Sequence, residues 1–319
     1  MGQGLADRLR PERLVHPDPS LSIKTFDMIV LLGGSGFVGT ALRASLARHE
    51  VEFATLRRHE IDLHDVDALA GRLSGLGAKF LINSAGYTGR TNVDDCERDK
   101  AECLSANAVL PGKIRAACER AGIPWGQVSS GCLYNGDGGK PGGFTESDPP
   151  NFCFRDGPCS FYSGTKALAE EVLADCPTCY LWRPRMPLNH EDSPRNYLSK
   201  LQRYDRLLDA TNSLSHLDDF ADAAVQCWIR RVPFGIYNVV NTGAITTRRV
   251  TELIQERLPR TRPYRFFTDE AEFMRSAAET PRSSCVLDNS KLASTGIPMR
   301  PVEDAIVASL ENWQVRQSD

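Results

Sequence analysis

Short apolar segments alternate with amphipathic segments along the chain from residue 27 onward. We predict that the apolar segments are strands and that the amphipathic segments between them are helices. The predicted strands are "MIVLLGG", "VEFATL", "KFLINSAG", "IPWGQVSS" and "TCYLWRP". Regular alternation of strand and helix is typical of a parallel sheet with helices on both faces. The pattern therefore predicts an α/β protein with a doubly wound parallel sheet.

The alternation becomes irregular after residue 185, and "GIYNVV" then returns as a later strand. We predict that residues 27–185 form the sheet domain and that residues 217–244 return to it. Residues 186–216 and 245–319 are predicted to form a smaller substrate-binding lobe over the carboxyl edge of the sheet, where ligands bind in this architecture. Residues 1–26 are predicted to be a flexible tail.

Composition narrows the class of protein. The 319 residues are 41% hydrophobic and 25% charged, which is typical of a soluble enzyme. The net charge of -3 gives no basic field for a polyanion, so we expect neither nucleic acid nor an anionic membrane as a partner. No apolar run reaches the roughly 18 residues of a membrane helix, and the start lacks a secretory signal. We therefore expect a cytoplasmic protein.

Ten cysteines without a secretory signal indicate reduced thiols rather than disulfides. Cys176 and Cys179 in "CPTC" have the spacing of a redox motif, but they precede a strand instead of opening a helix. No second pair of ligands stands at metal-site spacing. We predict no metal site, with Cys179 packed in the strand and Cys176 in a turn.

The segment "GGSGFVG" places Gly33, Gly36 and Gly39 between the first strand and the first helix. Glycines at this point let a dinucleotide pyrophosphate approach backbone amides and the helix N-terminus. With the strand and helix units that follow, the spacing predicts a Rossmann dinucleotide-binding domain. Phe37 and Val38 lie in the same predicted site.

The end of the second strand indicates which cofactor is preferred. Folds that select NAD carry an acidic residue there, whereas this chain has Arg57 and Arg58 in "TLRRHE". Two guanidinium groups suit the 2′-phosphate of NADP, so NADPH is predicted and NADH is the alternative. A solvated surface pair would also explain the arginines. Asp62 is predicted either to line the adenine pocket or to cap a helix.

Tyr162 and Lys166 in "YSGTK" are four residues apart and so share one face of a helix. A lysine beside a phenol favours the phenolate and would move the tyrosine pKa from about 10 toward a value useful for acid or base catalysis. With the glycine segment and Ser130 at the end of an intervening strand, the pair resembles the extended short-chain dehydrogenase/reductase superfamily. That resemblance implies that Ser130 binds a carbonyl oxygen, Tyr162 transfers its proton, and Lys166 holds Tyr162 and the nicotinamide ribose.

The same resemblance implies further features. It places Ala85, Gly86 and Tyr87 beside the nicotinamide half of the cofactor, and it makes Asn107 a structural or proton-relaying residue. It also implies a homodimer that is built through helices near residues 101–121 and 161–175.

A closer resemblance is carried by six ordered motifs between about residues 29 and 310. The motifs are "NSAGYTGRTNVDDCE", "SSGCLY", "SFYSGTKALAEE", "RPRMPL", "SPRNYLSK" and "TPRSSCVLD". Together they resemble the nucleotide-rhamnose synthases, which act on UDP- or dTDP-4-keto-6-deoxyglucose as 3,5-epimerases and 4-keto-reductases. In that family a cysteine and a lysine form the epimerisation pair, and the resemblance places them at Cys132 and Lys200.

Arginines within the matched motifs are candidates for binding the nucleotide diphosphate. The predicted substrate residues are Arg185, Arg195, Asn196 and Arg282, together with Cys132, and Arg282 is the first candidate for the pyrophosphate. Arg183 is expected to be a partner in a structural ion pair. The chain departs from the family pattern at His190, Glu191 and Asp192, which stand as an insertion near the predicted substrate site.

Three hypotheses follow. The first is a bifunctional epimerase/reductase that yields an L-rhamnose-type nucleotide sugar. The second is a stand-alone 4-keto reductase in which Cys132 has no catalytic role. The third is a non-catalytic dinucleotide-binding subunit, which retention of Ser130, Tyr162 and Lys166 disfavours.

Overall fold

The computed structural model of the protein describes residues 27–90, 92–259 and 261–315. The predicted tail, residues 1–26, lies outside the described residues. In chain order the strands are Ile29–Leu32 (β1), Phe53–Leu56 (β2), Phe80–Asn83 (β3), Trp125–Val128 (β4), Cys179–Arg183 (β5), Arg206–Leu207 (β6), Thr211–Asn212 (β7), Gly235–Asn238 (β8), Ile245–Thr246 (β9) and Arg265–Phe266 (β10).

The α-helices are Phe37–Arg48 (α1), Val66–Gly75 (α2), Asp95–Arg98 (α3), Lys100–Leu104 (α4), Leu110–Ala121 (α5), Phe161–Val172 (α6), Tyr197–Arg203 (α7), Leu217–Ile229 (α8), Thr247–Arg257 (α9), Glu270–Ser276 (α10), Ser290–Ser294 (α11) and Val302–Glu311 (α12). A π-helical turn, Ser105–Val109, joins α4 to α5, and a short 3₁₀ helix, Gly131–Leu133, follows β4. No helix in the described part of the chain is long and apolar enough to cross a membrane.

Six strands form one parallel sheet in the order β2-β1-β3-β4-β5-β8. The chain crosses from one side of β1 to the other between β2 and β3, which makes the sheet doubly wound. Strands β1, β3 and β4 are buried along their whole length, as expected for a parallel sheet covered on both faces. The predicted fold class is confirmed, and the later strand "GIYNVV" lies beside β5 as β8.

Alternate residues of β1 face two separate cores. Ile29 and Leu31 pack with α1 and α8 on one face, and Val30 and Leu32 pack with α2 and α5 on the other. This alternation follows from the two-residue period of a strand. The sheet is therefore fixed from both sides, and the carboxyl ends of its strands meet at one edge.

A third core lies outside the sheet and is built from α7, α9 and α12. Two small sheets accompany it, β6 with β10 in parallel and β7 with β9 antiparallel. A fourth cluster joins this lobe to the loop after β4, since Leu133 and Phe144 pack with Cys285 and Leu287. The carboxyl ends of β4 and β5 are thus covered by lobe residues, and the domain limits drawn from the sequence stay a prediction.

Candidate active site

The glycine segment forms a tight turn between β1 and α1. Gly33 has φ +75°, in the left-handed region, and a Cβ there would lie 2.5 Å from the backbone nitrogen of Ala85. A Cβ on Gly39 would lie 2.1 Å from the carbonyl oxygen of Gly33. Gly36 is the N-cap of α1 and has no side chain to occupy the helix N-terminus. This cradle fits a dinucleotide pyrophosphate, and the predicted Phe37 and Val38 are the first residues of α1.

Arg57 and Arg58 lie on the surface just after β2. Arg58 lines a cavity of about 730 Å³ near the β3 loop. The other lining residues are Tyr87, Arg90, Arg98, Asp99, Lys100, Ala101 and Glu102. Cations outnumber anions there, which suits an anionic group such as a phosphate.

Asp62 is exposed, and its side chain accepts a hydrogen bond from the His64 amide at 2.9 Å. The helix-capping alternative for Asp62 is wrong, because Asp65 caps α2 by accepting from the Ala68 amide at 3.0 Å. The two aspartates are three residues apart in one turn, in which the Asp65 amide donates to the Asp62 carbonyl at 3.2 Å. The adenine-pocket role of Asp62 stays a prediction.

Asn107 holds the loop after β3 by two hydrogen bonds. Its Oδ1 accepts from the Tyr87 amide and its Nδ2 donates to the Tyr87 carbonyl, both at 2.8 Å. The π-helical turn turns Asn107 inward, where it is 1% exposed. A Cβ on Gly86 would lie 3.1 Å from Asn107 Oδ1 and 3.5 Å from Lys166 Nζ. The loop predicted to face the nicotinamide therefore runs beside Lys166.

The Tyr87 hydroxyl donates to Asp99 Oδ2 at 2.6 Å. This bond, which the sequence did not indicate, raises the pKa of Tyr87 to about 12. Asp99 lines the same cationic cavity as Arg58, so Tyr87 links the two predicted halves of the cofactor site.

The structure brings Ser130, Tyr162 and Lys166 together. Ser130 follows β4 and is the N-cap of the 3₁₀ helix, where its hydroxyl accepts from the Cys132 amide at 3.2 Å. Tyr162 and Lys166 lie one turn apart on α6, and Lys166 Nζ is 6.0 Å from the centroid of the Tyr162 ring. All three side chains are less than a tenth exposed.

Burial is the main influence on the pKa values of Tyr162 and Lys166. It raises the pKa of Tyr162, the Cys132 thiol acts in the same direction, and a hydrogen bond with Ser130 opposes them. Burial also lowers the pKa of Lys166 to about 8, and its Nζ donates to the Val128 carbonyl at 3.3 Å. The expected lowering of the phenol pKa by Lys166 is therefore not found in this environment. Tyr162 is a protonated phenol at neutral pH, as a proton donor must be.

Cys132 lies in the 3₁₀ helix two residues after Ser130 and is half-buried. Its Sγ accepts a hydrogen bond from Arg185 Nη1 at 3.0 Å. Lys200, on α7, approaches from the lobe. Its pKa is lowered by burial and by the nearby Arg195 and Arg282, whereas Cys132 acts in the opposite direction. Cys132 and Lys200, the epimerisation pair that the resemblance implies, are therefore close enough for Cys132 to affect the pKa of Lys200.

Two of the predicted substrate residues bond the protein itself. Asn196 is the N-cap of α7, is 0% exposed, and donates from Nδ2 to Asn189 and to the Glu191 carbonyl. Arg195 donates to Thr88 and to the Gly89 carbonyl in the loop after β3. These contacts position α7 and the loop, and the predicted contacts with substrate stay predictions.

Arg282 bonds Asp94 Oδ2 at 2.5 Å and remains partly exposed. The other Asp94 oxygen, Oδ1, is buried without a hydrogen-bond partner in the described part of the chain. Arg282 is near enough to Lys200 to lower its pKa. The geometry therefore keeps Arg282 as a candidate for an anionic ligand.

A buried ion pair, whose acidic partner the sequence did not identify, bonds the residue that precedes Ser130. Arg183 Nη2 is 2.5 Å from Glu170 Oε2, and Glu170 Oε1 accepts from Ser129 at 2.5 Å. The structural ion pair expected for Arg183 is confirmed. Glu170 follows Lys166 by four residues, so the helical period was the signal that could have located it.

The insertion at residues 190–192 pairs with the end of the chain. The amide of Gln314 donates to the His190 carbonyl at 2.8 Å, and the Asp192 amide donates to the Gln314 carbonyl at 2.9 Å. The Asp192 side chain forms an ion pair with Arg203. The insertion therefore extends the lobe rather than adding a side chain beside Cys132.

The sheet, the glycine cradle and the buried serine, tyrosine and lysine together define an enzyme of the extended short-chain dehydrogenase/reductase type. Residues 27–315 match the family described as "RmlD substrate binding domain", and the chain belongs to this family.

Individual relatives agree with this assignment. The chain is 30% identical over 250 residues to a bifunctional dTDP-4-dehydrorhamnose 3,5-epimerase/dTDP-4-dehydrorhamnose reductase from Arabidopsis thaliana, which is 77% of this chain and 80% of that protein. The fold of this chain is similar to that of the L780 UDP-rhamnose synthase from Acanthamoeba polyphaga mimivirus. The TM-score is 0.80, and the identity is 20% over 89% of this chain and 99% of that one. It is also similar in fold to a dTDP-4-dehydrorhamnose reductase from Bacillus anthracis solved with NADP, with a TM-score of 0.71 and 17% identity over 90% of this chain and 97% of that one.

Proposed function

We propose that the protein is a bifunctional 3,5-epimerase/4-keto-reductase. Its substrate is UDP- or dTDP-4-keto-6-deoxyglucose, its cofactor is NADPH, and its product is an L-rhamnose-type nucleotide sugar. The observation that supports the proposal most is that the Cys132 amide bonds the Ser130 hydroxyl, while Cys132 is close enough to Tyr162 and to Lys200 to affect the pKa of each. The name of the Arabidopsis thaliana relative supports both activities.

The reductase half uses buried groups of the sheet domain. NADPH, held at the glycine cradle, supplies the hydride when it is bound. Ser130 donates a hydrogen bond to the C4 carbonyl oxygen, and Tyr162 gives that oxygen its proton. Lys166 lies beside Gly86 at the loop predicted to face the nicotinamide, so it holds the ribose end of the cofactor near Tyr162.

The epimerase half needs two groups, because a proton must leave one face of a carbon and return to the opposite face. The protons at C3 and C5 are acidified by the C4 ketone, and Ser130 and Tyr162 stabilise the enolate oxygen as its charge develops. Cys132 lies on the sheet side of the site, whereas Lys200 comes from the lobe. Burial lowers the Lys200 pKa, which brings its proton exchange closer to neutral pH.

Arg282 is the proposed ligand of the nucleotide diphosphate, since it is partly exposed and its cationic neighbours face the same region. The cationic cavity beside Arg58 is the proposed site of the cofactor 2′-phosphate. A homodimer through the helices near residues 101–121 and 161–175 is proposed on the resemblance alone, and a cytoplasmic location is proposed on the sequence patterns described above.

Incubation in deuterium oxide with a 4-keto-6-deoxyglucose nucleotide tests the proposal. The unaltered protein is expected to incorporate deuterium at C3 and C5 and, with NADPH, to form an L-rhamnose-type product. Cys132→Ser and Lys200→Met are each expected to slow incorporation by about 10²-fold or more. Arg203→Met removes another cation from α7 and is the matched control, because Arg203 pairs with Asp192 on the surface.

The outcomes separate the three hypotheses. Reduction without deuterium exchange would establish a stand-alone reductase. Bound NADPH with neither reduction nor exchange would establish a non-catalytic subunit.

A further inference from the structure

The guanidinium of Arg185 is buried against the epimerase half of the site. Arg185 follows β5 and is 4% exposed. Its Nη1 donates to Cys132 Sγ at 3.0 Å, and its Nη2 donates to Asn212 Oδ1 at 2.8 Å and to the Ser283 carbonyl at 2.5 Å. Both ends of the guanidinium are therefore engaged with the protein and are not free to receive a diphosphate.

Within the described residues, Arg185 has no carboxylate at ion-pair distance, and its Nε has no hydrogen-bond partner. Arg183, two residues earlier at the end of β5, is equally buried but is paired with Glu170 at 2.5 Å. An unpaired buried cation is strongly unfavourable, so a protein either neutralises it or gives it a counter-ion. Arginine does not lose its proton in proteins, and so a counter-ion is required.

Two thiols are close enough to serve, and their contacts distinguish them. Cys285 is completely buried, and its Sγ donates to the Gly131 carbonyl at 3.2 Å. That contact requires the protonated thiol, and burial raises the pKa of Cys285 in the same direction. Cys132 is half-buried, and its Sγ is the acceptor of the Arg185 hydrogen bond. Only Cys132 is thus placed to carry the negative charge.

We propose that Arg185 is a positioning residue that holds Cys132 as a thiolate facing the sugar. The assignment rests on the proposed function and replaces the substrate contact predicted for Arg185 from the sequence. The other titratable and charged groups that face Cys132 are Lys200, Lys166, Tyr162 and Cys285, and Cys96 belongs to the hydrophobic cluster on which Cys132 packs.

In the proposed epimerisation, Cys132 removes one proton and Lys200 returns one. The thiolate takes a proton from C3 or C5, so that an S–H bond forms, a C–H bond breaks, and its electron pair moves into the enolate. The Lys200 ammonium returns a proton to the opposite face, an N–H bond breaks, a C–H bond forms, and the ketone is restored. Cys132 then releases its proton to water and Lys200 takes one up, which accounts for the entry of solvent deuterium.

Alkylation of Cys132 by iodoacetamide tests the proposal without any sugar nucleotide, because only the thiolate reacts. The rate is followed over a range of pH by mass spectrometry of the peptide that contains Cys132, since the chain has ten cysteines. Arg185→Met is expected to slow this alkylation about tenfold at neutral pH and to move the pH profile upward. Arg185→Lys, which keeps a cation, is expected to restore most of the rate. Arg206→Met, which removes a cation from the lobe, is the control and is expected to change neither the rate nor the profile.

An Arg185→Met protein that folds, binds NADPH and alkylates as fast as the parent overturns the proposal. If that variant does not fold, the ultraviolet absorbance of the native protein tests whether Cys132 is a thiolate. Thiolate absorbance at neutral pH that is lost in Cys132→Ser supports the proposal, and its absence overturns it. Failure of deuterium exchange in the unaltered protein overturns the proposed function instead, and neither thiol measurement depends on it.

Discussion

Ser130, Tyr162 and Lys166 all belong to the sheet domain, whereas Lys200 reaches the site from α7, whose core is separate from the sheet. The sheet side rests on the buried pair of Glu170 and Arg183, with Ser129 bonded to the same carboxylate. On the lobe side, the ion pair nearest to Lys200 along α7 is that of Arg203 with Asp192, and the arginine side chain is 48% exposed. The two halves therefore differ in how firmly they are fixed.

This difference matches the demands of the two proposed reactions. Hydride transfer needs a ketone, a proton donor and a cofactor in fixed positions, and a misplacement of about 1 Å is costly. Removing protons from two different carbons of one sugar requires the acid and base to serve C3 and C5 in turn. Beyond the third core, α7 is held on its exposed side by an ion pair worth less than about 1 kcal/mol, so we expect Lys200 to have more freedom to serve both carbons than Tyr162 has.

Tyr162→Phe is expected to have the largest effect and to separate the two halves. Loss of the proton donor should lower the rate of reduction by about 10²- to 10⁴-fold. Deuterium exchange should fall by less, because Ser130 still donates to the enolate oxygen. Exchange is read by mass spectrometry and reduction by NADPH absorbance.

Tyr237→Phe is the control for Tyr162→Phe, since the Tyr237 hydroxyl bonds the Pro233 carbonyl, and it should alter neither rate. An equal loss of both activities in Tyr162→Phe would contradict the division into two halves.

Glu170→Gln should test how firmly the sheet side is fixed. It leaves the Arg183 charge buried without its partner, which should lower the free energy of unfolding by about 3–5 kcal/mol. Asp192→Asn breaks the exposed pair with Arg203 and should cost less than about 1 kcal/mol. Urea unfolding measures both, and similar losses in the two variants would remove the contrast.

Lys166→Met should reveal the cost of burying the Lys166 cation. The folded pKa is about 8 and the ordinary value is 10.5, so below pH 8 the lysine is charged in both states and the full burial cost of about 3 kcal/mol is present. Between pH 8 and 10.5 the unfolded chain binds more protons, so the stability of the parent rises with pH and the cost fades. The variant should therefore be more stable than the parent near neutral pH, by up to about 3 kcal/mol, with a gain that shrinks across this range.

Urea unfolding at several pH values measures the gain in Lys166→Met. The exposed Lys79→Met is the control and should change stability by less than about 0.5 kcal/mol. A gain that is independent of pH would show that the lysine charge is not its cause.

The sheet was predictable because its strands are continuous apolar segments and its helices are amphipathic. Pattern also sufficed for the glycine cradle and for Tyr162 with Lys166, since these depend on spacing within one turn or helix. The small sheets β6 with β10 and β7 with β9 were not predicted. Each strand in them has only two residues, too few for a period to show.

At the site, prediction from the sequence was limited mainly by contacts between residues that are far apart in the chain. Burial raises the Tyr162 pKa against the local effect expected from Lys166, and burial cannot be obtained from a spacing of four residues. Arg195 and Asn196 stand in a motif typical of the family, yet their described contacts are with the protein. Arg185 was assigned to the substrate because its sequence shows a cation but not which groups surround it.

The bonds from Arg195 to Thr88 and Gly89 join the start of the lobe to the loop after β3 across more than a hundred residues of sequence. For protein engineering, the lobe is therefore not a self-contained module. A chimera that transplants α7 and its flanking segments onto another dehydrogenase scaffold has to carry residues 88–90 with them, or the loop after β3 loses one of its attachments, another being Asn107.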